Sequence, residues 1–441
     1  MRRYFYLILG CCLSVFAQAE NAVYQEVNYT IDPDLLTAEV VLTPQASGEL
    51  YIPEEITVGQ ETYRVTAIGD KAFKGCKNLT AIVLPKTIER VYRSAFDGTG
   101  IMLDKTNWTN GALYIDSCLI ATDKTIKGKF IIPEGTRLIA AGAFQGNKTL
   151  TRVEFPTTVR RIDHETFRDC KNLAIIPQTI TEIGEDAFTN SGIWNNEKKW
   201  KKGGLYIDGC LIAVNDDVPA KFVFKNKIPT RLIAAGAFSN NKKIKSVMIP
   251  ATVSAIPNAA FYKCENLTDV TIPASVKQVG NFAFYGCKLL REATLPTDIA
   301  TLGMGAFYGC ENLRKQVLSD KLTIIPQGCF YLCRSIQRLT LPEGLRKIDN
   351  GAFTGCSSLE DMKFPATLQE IGEMAFAGCA KFVEVTIPEQ VINLNNGVFT
   401  GCTHLRKVVL PEGTYAIGDE AFKGCVTLER INIPKSTFRI G

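Results

Sequence analysis

Residues 261–283 read Phe261-Tyr-Lys-Cys264-Glu-Asn-Leu267-Thr-Asp-Val270-Thr-Ile272-Pro273-Ala-Ser-Val276-Lys-Gln-Val279-Gly280-Asn-Phe-Ala283, and the stretch decides the fold because it returns. Counted from its Phe, apolar residues fall at +6, +9, +11, +15 and +18, with Cys at +3 and Pro at +12. The same Phe stands at 238, 261, 284, 307, 330, 353, 376, 399 and 422, always 23 residues apart. Toward the N-terminus it reappears at 73, 96, 144, 167 and 188 with less even spacing. A fixed period of this length marks a solenoid: one unit cannot bury its apolar face alone, and stacked units share a continuous core.

Within a unit, +8 to +11 alternates as a half-buried strand does. Proline at +12 (Pro85, Pro156, Pro250, Pro273, Pro296, Pro342, Pro365, Pro388, Pro411, Pro434) has no N–H to continue a ladder and ends the strand. Glycine at +19 (Gly280, Gly303, Gly372, Gly418) suits a turn with positive φ. The Ala-Phe segment predicts a short turn or one helical turn that plugs the ring into the core. Ladders of Phe, of Leu/Ile/Val and of Cys are expected inside.

The early half is irregular in a repeated way. The gaps 96→144 and 188→238 hold the same block: Trp108, then Leu113-Tyr114-Ile115-Asp116-Ser-Cys118-Leu-Ile-Ala121, and Trp200, then Leu205-Tyr206-Ile207-Asp208-Gly-Cys210-Leu-Ile-Ala213. Each reads as two strands around a tight turn, a hairpin in place of the Ala-Phe turn. A super-repeat of about 94 residues is duplicated, since 73, 96 and 144 map onto 167, 188 and 238. Residues 20–64 lack the Phe signature; Tyr24–Thr30, Ala38–Leu42, Gly48–Ile52 and Tyr63–Val65 alternate like strands, in place to cap the first coil. The expected organisation is a leader over 1–19, a β-rich cap over 20–64, an irregular half over 65–237 and a regular array over 238–441.

The leader is read as a secretory signal. Arg2 and Arg3 precede an apolar run from Leu7 to Phe16, and Ala17-Gln18-Ala19 supplies a small-x-small cleavage pattern. The apolar run is far short of the ~20 residues a membrane-spanning helix needs, so no transmembrane segment is expected. Ile8-Leu9-Gly10-Cys11 loosely resembles a lipobox, which keeps a lipoprotein open as the alternative. The mature chain is expected outside the cytoplasm, secreted or on the cell surface. With 46% hydrophobic and 22% charged residues the chain is expected to fold, and a net charge of +5 is too mild for nucleic-acid binding.

The unit Ile371-Gly-Glu-Met-Ala375-Phe376-Ala-Gly-Cys379-Ala-Lys-Phe382-Val-Glu-Val385-Thr-Ile387-Pro388 closely resembles the BspA-like (Treponema pallidum type) leucine-rich repeats. The likeness covers about residues 65–441. It implies a leucine-rich-repeat solenoid, mainly β with short helical or 3-10 turns, placed outside the cytoplasm. It also implies a bacterial surface antigen or adhesin role. The repeat motif is structural, so no binding residue carries over. The chain departs from the motif at Thr99, Ser191, Asn147 and Asn241, which replace Cys at +3.

Fifteen cysteines suggest metal or disulfides, yet ten lie one per coil at +3 rather than converging in pairs. They are read as reduced, buried thiols that fit the turn, as Asn at the same position also does. The two histidines, His164 and His404, fall in different coils, and no P-loop, dinucleotide-binding glycine motif or nucleophile elbow occurs. No catalytic, metal or cofactor site is expected, so the chain is read as not an enzyme.

That leaves the surface residues that do not repeat. Positions +7 and +8 give Arg291-Glu292, Arg314-Lys315, Gln337-Arg338, Glu360-Asp361 and Val383-Glu384: a basic stretch followed by an acidic one, able to orient a protein partner. Trp108, Tyr114, Trp200 and Tyr206 form a second candidate surface, unless they pack the hairpins onto their coils. The leading expectation is an adhesion module for a protein partner, host extracellular matrix included, or a surface glycan. A self-associating structural protein is the alternative, and a carbohydrate-binding or carbohydrate-active protein the remote one.

Overall fold

The computed structural model describes residues 20–33, 35–124, 126–174, 179–224, 228–314 and 316–441. The leader, with Cys11 and Ala19, lies outside the described residues. The chain forms two compact units that divide between Lys199 and Trp200. Both are built of mainly-β coils of about 23 residues.

The N-terminal unit opens with β1 (Glu20–Tyr24), β2 (Val27–Asp32), β3 (Thr37–Val40), β4 (Gly48–Tyr51), β5 (Glu55–Val58) and β6 (Glu61–Ile68). Five of these pair in the order β1-β2-β3-β6-β5, and β4 pairs in parallel with Leu79–Val83. Tyr24–Thr30, expected as one strand, is instead a hairpin. Gln25 and Glu26 both have positive φ, and two consecutive left-handed residues reverse a strand tightly. β6 ends by pairing Ala67 and Ile68 with Arg90 and Val91 in parallel, so the cap becomes the first rung of the solenoid.

The Phe segment is neither helix nor simple loop. At each of the fourteen Phe positions the residues two before and two after have positive φ: Ala259 and Lys263 around Phe261, Gly305 and Gly309 around Phe307, Met374 and Gly378 around Phe376. A helix needs right-handed φ throughout, so these flanks exclude it. The alternation instead aligns peptide groups along the solenoid axis. Phe261 N–H donates to Ala283 O at 2.8 Å, Phe284 N–H to Ala306 O at 2.8 Å, and Phe307 N–H to Cys329 O at 2.9 Å. The rings stack inside: Phe261–Phe284 at 5.2 Å and Phe307–Phe330 at 5.5 Å, each within 2° of parallel.

Glycine at +19 has a different reason from the one expected. Gly280, Gly303, Gly372 and Gly418 are not among the positive-φ residues. A Cβ on Gly280 would stand 2.5 Å from the backbone N of Asn258, and on Gly372 2.5 Å from that of Asn350. The position needs glycine because successive coils touch there.

All thirteen described cysteines are free, and twelve are buried. At +3 the thiol reaches back one coil to the Phe carbonyl: Cys264 to Phe238 at 2.9 Å, Cys287 to Phe261 at 3.1 Å, Cys310 to Phe284 at 3.2 Å. Each such carbonyl also accepts the N–H of its own coil's +3 residue, as Phe261 O does from Cys264. Asn241 serves the same place: its Nδ2 donates to Asn215 O at 3.1 Å while its Oδ1 accepts two backbone N–H groups.

Both hairpin blocks form as read. Ala112–Ile115 pairs antiparallel with Cys118–Thr122, and Gly204–Ile207 with Cys210–Val214. Thr122 N–H donates to Ala143 O and Val214 N–H to Ala237 O, both at 2.8 Å, filling the place in the ladder that a Phe holds elsewhere. The described helical residues are one turn at Gly100–Leu103 and 3-10 turns at Lys105–Asn107 and Glu197–Lys199, all beside the hairpins.

Candidate functional site

In the unit from Trp200 onward, the +8 to +10 strands are not continuous. Lys221–Val223, Ser246–Met248 and Asp269–Thr271 form one parallel sheet; Glu384–Thr386, Lys407–Val409 and Arg430–Ile431 form another. Between them the coils show isolated bridges rather than named strands: Asp269 bridges Glu292, and Arg338 is a second bridge residue. Where the sheet is closed, the +11 amide crosses to the next coil: Ile249 N–H to Thr271 O at 3.0 Å, Ile387 N–H to Val409 O at 2.9 Å. The equivalent amides of Ile272, Leu295, Leu318, Leu341 and Phe364 make no such bond among the described residues.

The sequence explains the opening. In the closed coils +9 is aromatic or β-branched: Phe222, Val247, Val270, Val385, Val408, Ile431. In the open ones it is Ala293, Gln316, Leu339 and Met362. Aromatic and β-branched side chains fit a pleated, half-buried surface best, and four successive coils lack one. The backbone there gives up the strand while Ala293, Gln316 and Leu339 stay buried and Met362 half-buried.

The predicted charge stripe lies along this opened face. Arg291, Arg314, Arg338, Asp361 and Glu384 are exposed and Glu360 is half-buried. Lys315 lies outside the described residues. The basic and acidic halves meet where Arg338 Nε donates to Glu360 Oε2 at 2.9 Å, a pair between neighbouring coils. Asp361 Oδ1 accepts the backbone N–H of Val383 at 2.6 Å, standing in for the missing strand ladder. Glu384 pairs with Lys407 at 3.2 Å. The acidic half is therefore occupied within the face, while Arg291 and Arg314 extend from it. At the upstream limit of the opening lies a groove of about 550 Å³, lined by Asp269–Ile272, Ala274, Glu292 and Thr294–Thr297.

The hairpin aromatics sit differently. Trp108 is half-buried; its Nε1 donates to Met102 O at 3.0 Å and Lys105 Nζ stands 4.1 Å over its ring. Tyr114 is half-buried and Tyr206 only 6% exposed; both hydroxyls are buried with no partner among the described residues. Burial pushes the Tyr114 phenol up to about 12 and that of Tyr206 further in the same direction. Trp200 is half-buried and pairs with Leu205. Tyr206 belongs to the buried core of its unit, and Trp108 packs against that of the N-terminal unit.

Two further features escaped the sequence reading. Tyr262, Tyr285, Tyr308 and Tyr331 stack on the Phe side of the coils at 4.8, 4.7 and 4.5 Å. The signal was a Phe-Tyr pair in four consecutive units; Tyr285, Tyr308 and Tyr331 lie in coils where the sheet opens, and Tyr262 in the coil of the closed strand Asp269–Thr271. In the N-terminal unit, Glu165 has a side chain only 2% exposed and takes the guanidinium groups of Arg93 and Arg168. Beside it, Arg161 pairs with Glu182 and lies 3.7 Å from Asp163, and Arg90 reaches Glu182 at 3.4 Å. Burial pushes the Glu182 carboxyl up against the pull of Arg90. These pairs tie Glu165 and Glu182 to arginines of their own and of earlier coils.

His164 Nε2 stands 3.8 Å from Asp163 within that cluster, and His404 is exposed with Thr403 Oγ1 3.2 Å from its Nδ1. The buried thiols are pushed up by burial, to about 11 for Cys118 and Cys210 and about 12 for Cys264 and Cys356. A thiolate, the nucleophilic and metal-binding form, is suppressed at these positions.

Residues 54–174, 124–197, 231–340 and 323–441 match the family model described as BspA type Leucine rich repeat region (6 copies). The chain is similar to a solved leucine-rich repeat protein from Bacteroides ovatus: 23% identity, TM-score 0.39, covering 92% of this chain and 93% of that one. It is also similar to a leucine rich cell surface protein from Faecalibacterium prausnitzii, with 19% identity, TM-score 0.36 and coverage of 96% and 95%. For the pneumococcal vaccine antigen PcpA the values are 16%, 0.31, 80% and 94%. No curated protein matches the chain.

Proposed function

Taking as premise that the chain belongs to the BspA-type leucine-rich repeat family, we propose that it is an extracytoplasmic adhesion module that binds a protein partner through the opened face of residues 269–384. The observation that carries this reading is the row of exposed, non-repeating charges on that face, Arg291 and Arg314 above all. Repeated residues explain the coil; only residues that vary from coil to coil can encode a particular partner. The signal-like pattern of residues 1–19, Arg2-Arg3 before an apolar run and Ala17-Gln18-Ala19, supports export. The alternating Arg and Glu/Asp halves support a protein surface of complementary sign. No helix among the described residues is long and apolar enough to cross a membrane.

The test is a binding screen against host extracellular-matrix proteins and surface polysaccharides, repeated with Arg291, Arg314 and Arg338 reversed to Glu. Binding of a matrix protein that the triple reversal abolishes supports the reading. Binding that ignores the reversal, or capture of polysaccharide alone, overturns it. A second reading, self-association, draws on the exposed apolar row Ile392, Tyr415 and Phe438, the last two stacked at 5.6 Å. Light scattering across a concentration series separates the two.

A further inference from the structure

Resting on that protein-binding reading, we infer that the groove at Asp269–Ile272 and Glu292–Thr297 receives an extended, basic peptide segment of the partner, added as a strand to the edge of Asp269–Thr271.

The register of the sheet shows which backbone groups are vacant. Strand Asp269–Thr271 pairs with Ser246–Met248 on one side, and Ile249 N–H takes Thr271 O at 3.0 Å. In a parallel ladder alternate residues serve alternate neighbours, so Val270 C=O and Ile272 N–H point to the following coil. That coil begins to pair: Arg291 N–H donates to Thr268 O at 3.0 Å and Asp269 bridges Glu292. It then departs. Neither Ile272 N–H nor Thr294 N–H makes a backbone bond among the described residues. Vacant amide and carbonyl groups thus lie along the mouth of a groove, where an edge strand normally meets a partner strand. Its size, about 550 Å³, falls within the roughly 300–1,000 Å³ of ligand-binding clefts.

The lining sets the chemistry of the occupant. Asp269 and Glu292 are exposed carboxylates on adjacent coils, and no basic side chain is among the lining residues. Asp269 Oδ2 accepts from Thr268 Oγ1 at 2.6 Å and Glu292 Oε1 from Thr294 Oγ1 at 3.2 Å, bonds by which each carboxylate is held by its own coil. Val270, Ile272, Leu295 and Pro296 supply the apolar floor. A strand alternating basic and β-branched residues meets both demands: Lys or Arg toward the carboxylates, Val or Ile toward the floor. A polyanion, or a sugar without cationic groups, meets neither.

The probe is the peptide acetyl-Lys-Val-Lys-Val-Lys-Val-amide with a fluorophore, titrated against the full chain by anisotropy. Its acidic counterpart, with Glu for Lys, and a version N-methylated at every second amide are run beside it. The basic peptide is expected to bind and to slow hydrogen exchange at residues 270–272. N-methylation is expected to abolish binding. Asp269→Lys with Glu292→Lys, both exposed positions, is expected to weaken it by at least about tenfold. The inference is overturned if the basic peptide does not bind, if the N-methylated peptide binds equally, or if the double reversal leaves affinity unchanged. A chain that binds matrix protein through Arg291, Arg314 and Arg338 but ignores the peptides loses the groove and keeps the adhesion reading. A chain that binds the peptides but no matrix protein does the reverse.

Discussion

Gln316 offers the sharpest test of why the sheet opens. It occupies +9, an inward position, and is 3% exposed. Its Oε1 is buried with no partner among the described residues, and its Nε2 donates only to the adjacent Val317 O at 3.2 Å. A buried, unsatisfied polar atom costs about 1–3 kcal/mol. Leucine is nearly isosteric with glutamine and already stands at +9 one coil on, as Leu339. Gln316→Leu therefore removes the desolvation cost without leaving a cavity. It forfeits one local hydrogen bond, net about 1 kcal/mol, whose acceptor belongs to the exposed Val317 and can turn to water. The net gain centres on about 1 kcal/mol, or on the order of 2–4 °C in Tm for a unit of this size. Urea denaturation with hydrogen exchange over 307–340 is the assay, since gains in a solenoid are felt first by neighbouring coils. Gln316→Ala, which removes the same oxygen but leaves a void, should lower stability instead. If Leu is neutral or destabilising, the amide is satisfied in solution or the coil needs a polar residue there, and the packing account of the opening fails.

The remaining predictions concern the other contacts of the coil. Ala293→Val restores β-branching at +9 and should slow exchange of the Ile272 amide; an unchanged rate would refute β-branching as the cause. Gly372→Ala forces a Cβ against Asn350 and should cost about 1–3 kcal/mol, read as a lowered urea midpoint. Thiol titration of the native chain should label Cys425, the one half-buried cysteine of the thirteen, and reach the others only in denaturant; several fast-reacting native thiols would contradict a closed ladder. Glu39 has its carboxyl raised to about 7 by burial, against the pull of Arg90 and with the push of Asp70. A folded value above the unfolded one means stability present at low pH and lost as pH rises from about 4.5 through 7. Glu39→Gln should remove that loss, so that the variant exceeds the parent in thermal midpoint at pH 8 and not at pH 4.

Much of the coil was legible because its rules are periodic. Phe spacing fixed the repeat, Pro at +12 marked the strand end, and Cys strung one per coil argued against metal. What escaped was aperiodic or conformational. The left-handed residue two before each Phe is Lys71, Glu165, Phe282 or Met374 as readily as glycine, so composition carries no trace of it. Glycine at +19 was visible, but a close approach between coils cannot be told from a turn in one sequence. The opening at 292–364 was written in the change from Val to Ala, Gln, Leu and Met. A strand pattern that accepts any apolar residue at +9 passes over that change. The charge stripe was found because it follows from position alone, whereas hairpin tyrosines look the same in sequence whether they face solvent or the core.

The stacked tyrosines at 262, 285, 308 and 331 lie beside the Phe row, the last three in coils whose +8 segment forms no named strand. Along the C-terminal unit an axial pull is shared by the +8 strands, the short strands at +17 such as Gln278–Val279 and Lys347–Ile348, and the Phe segments. Between the coils of Phe284 and Phe307 no named +8 strands pair, and Thr301–Leu302 and Ile324–Ile325 belong to separate sheets, so the Phe segments carry most of the load. A chain held at both ends under flow would yield there first. The Tyr285 and Tyr308 rings, stacked at 4.7 Å, cross that step beside the Phe row.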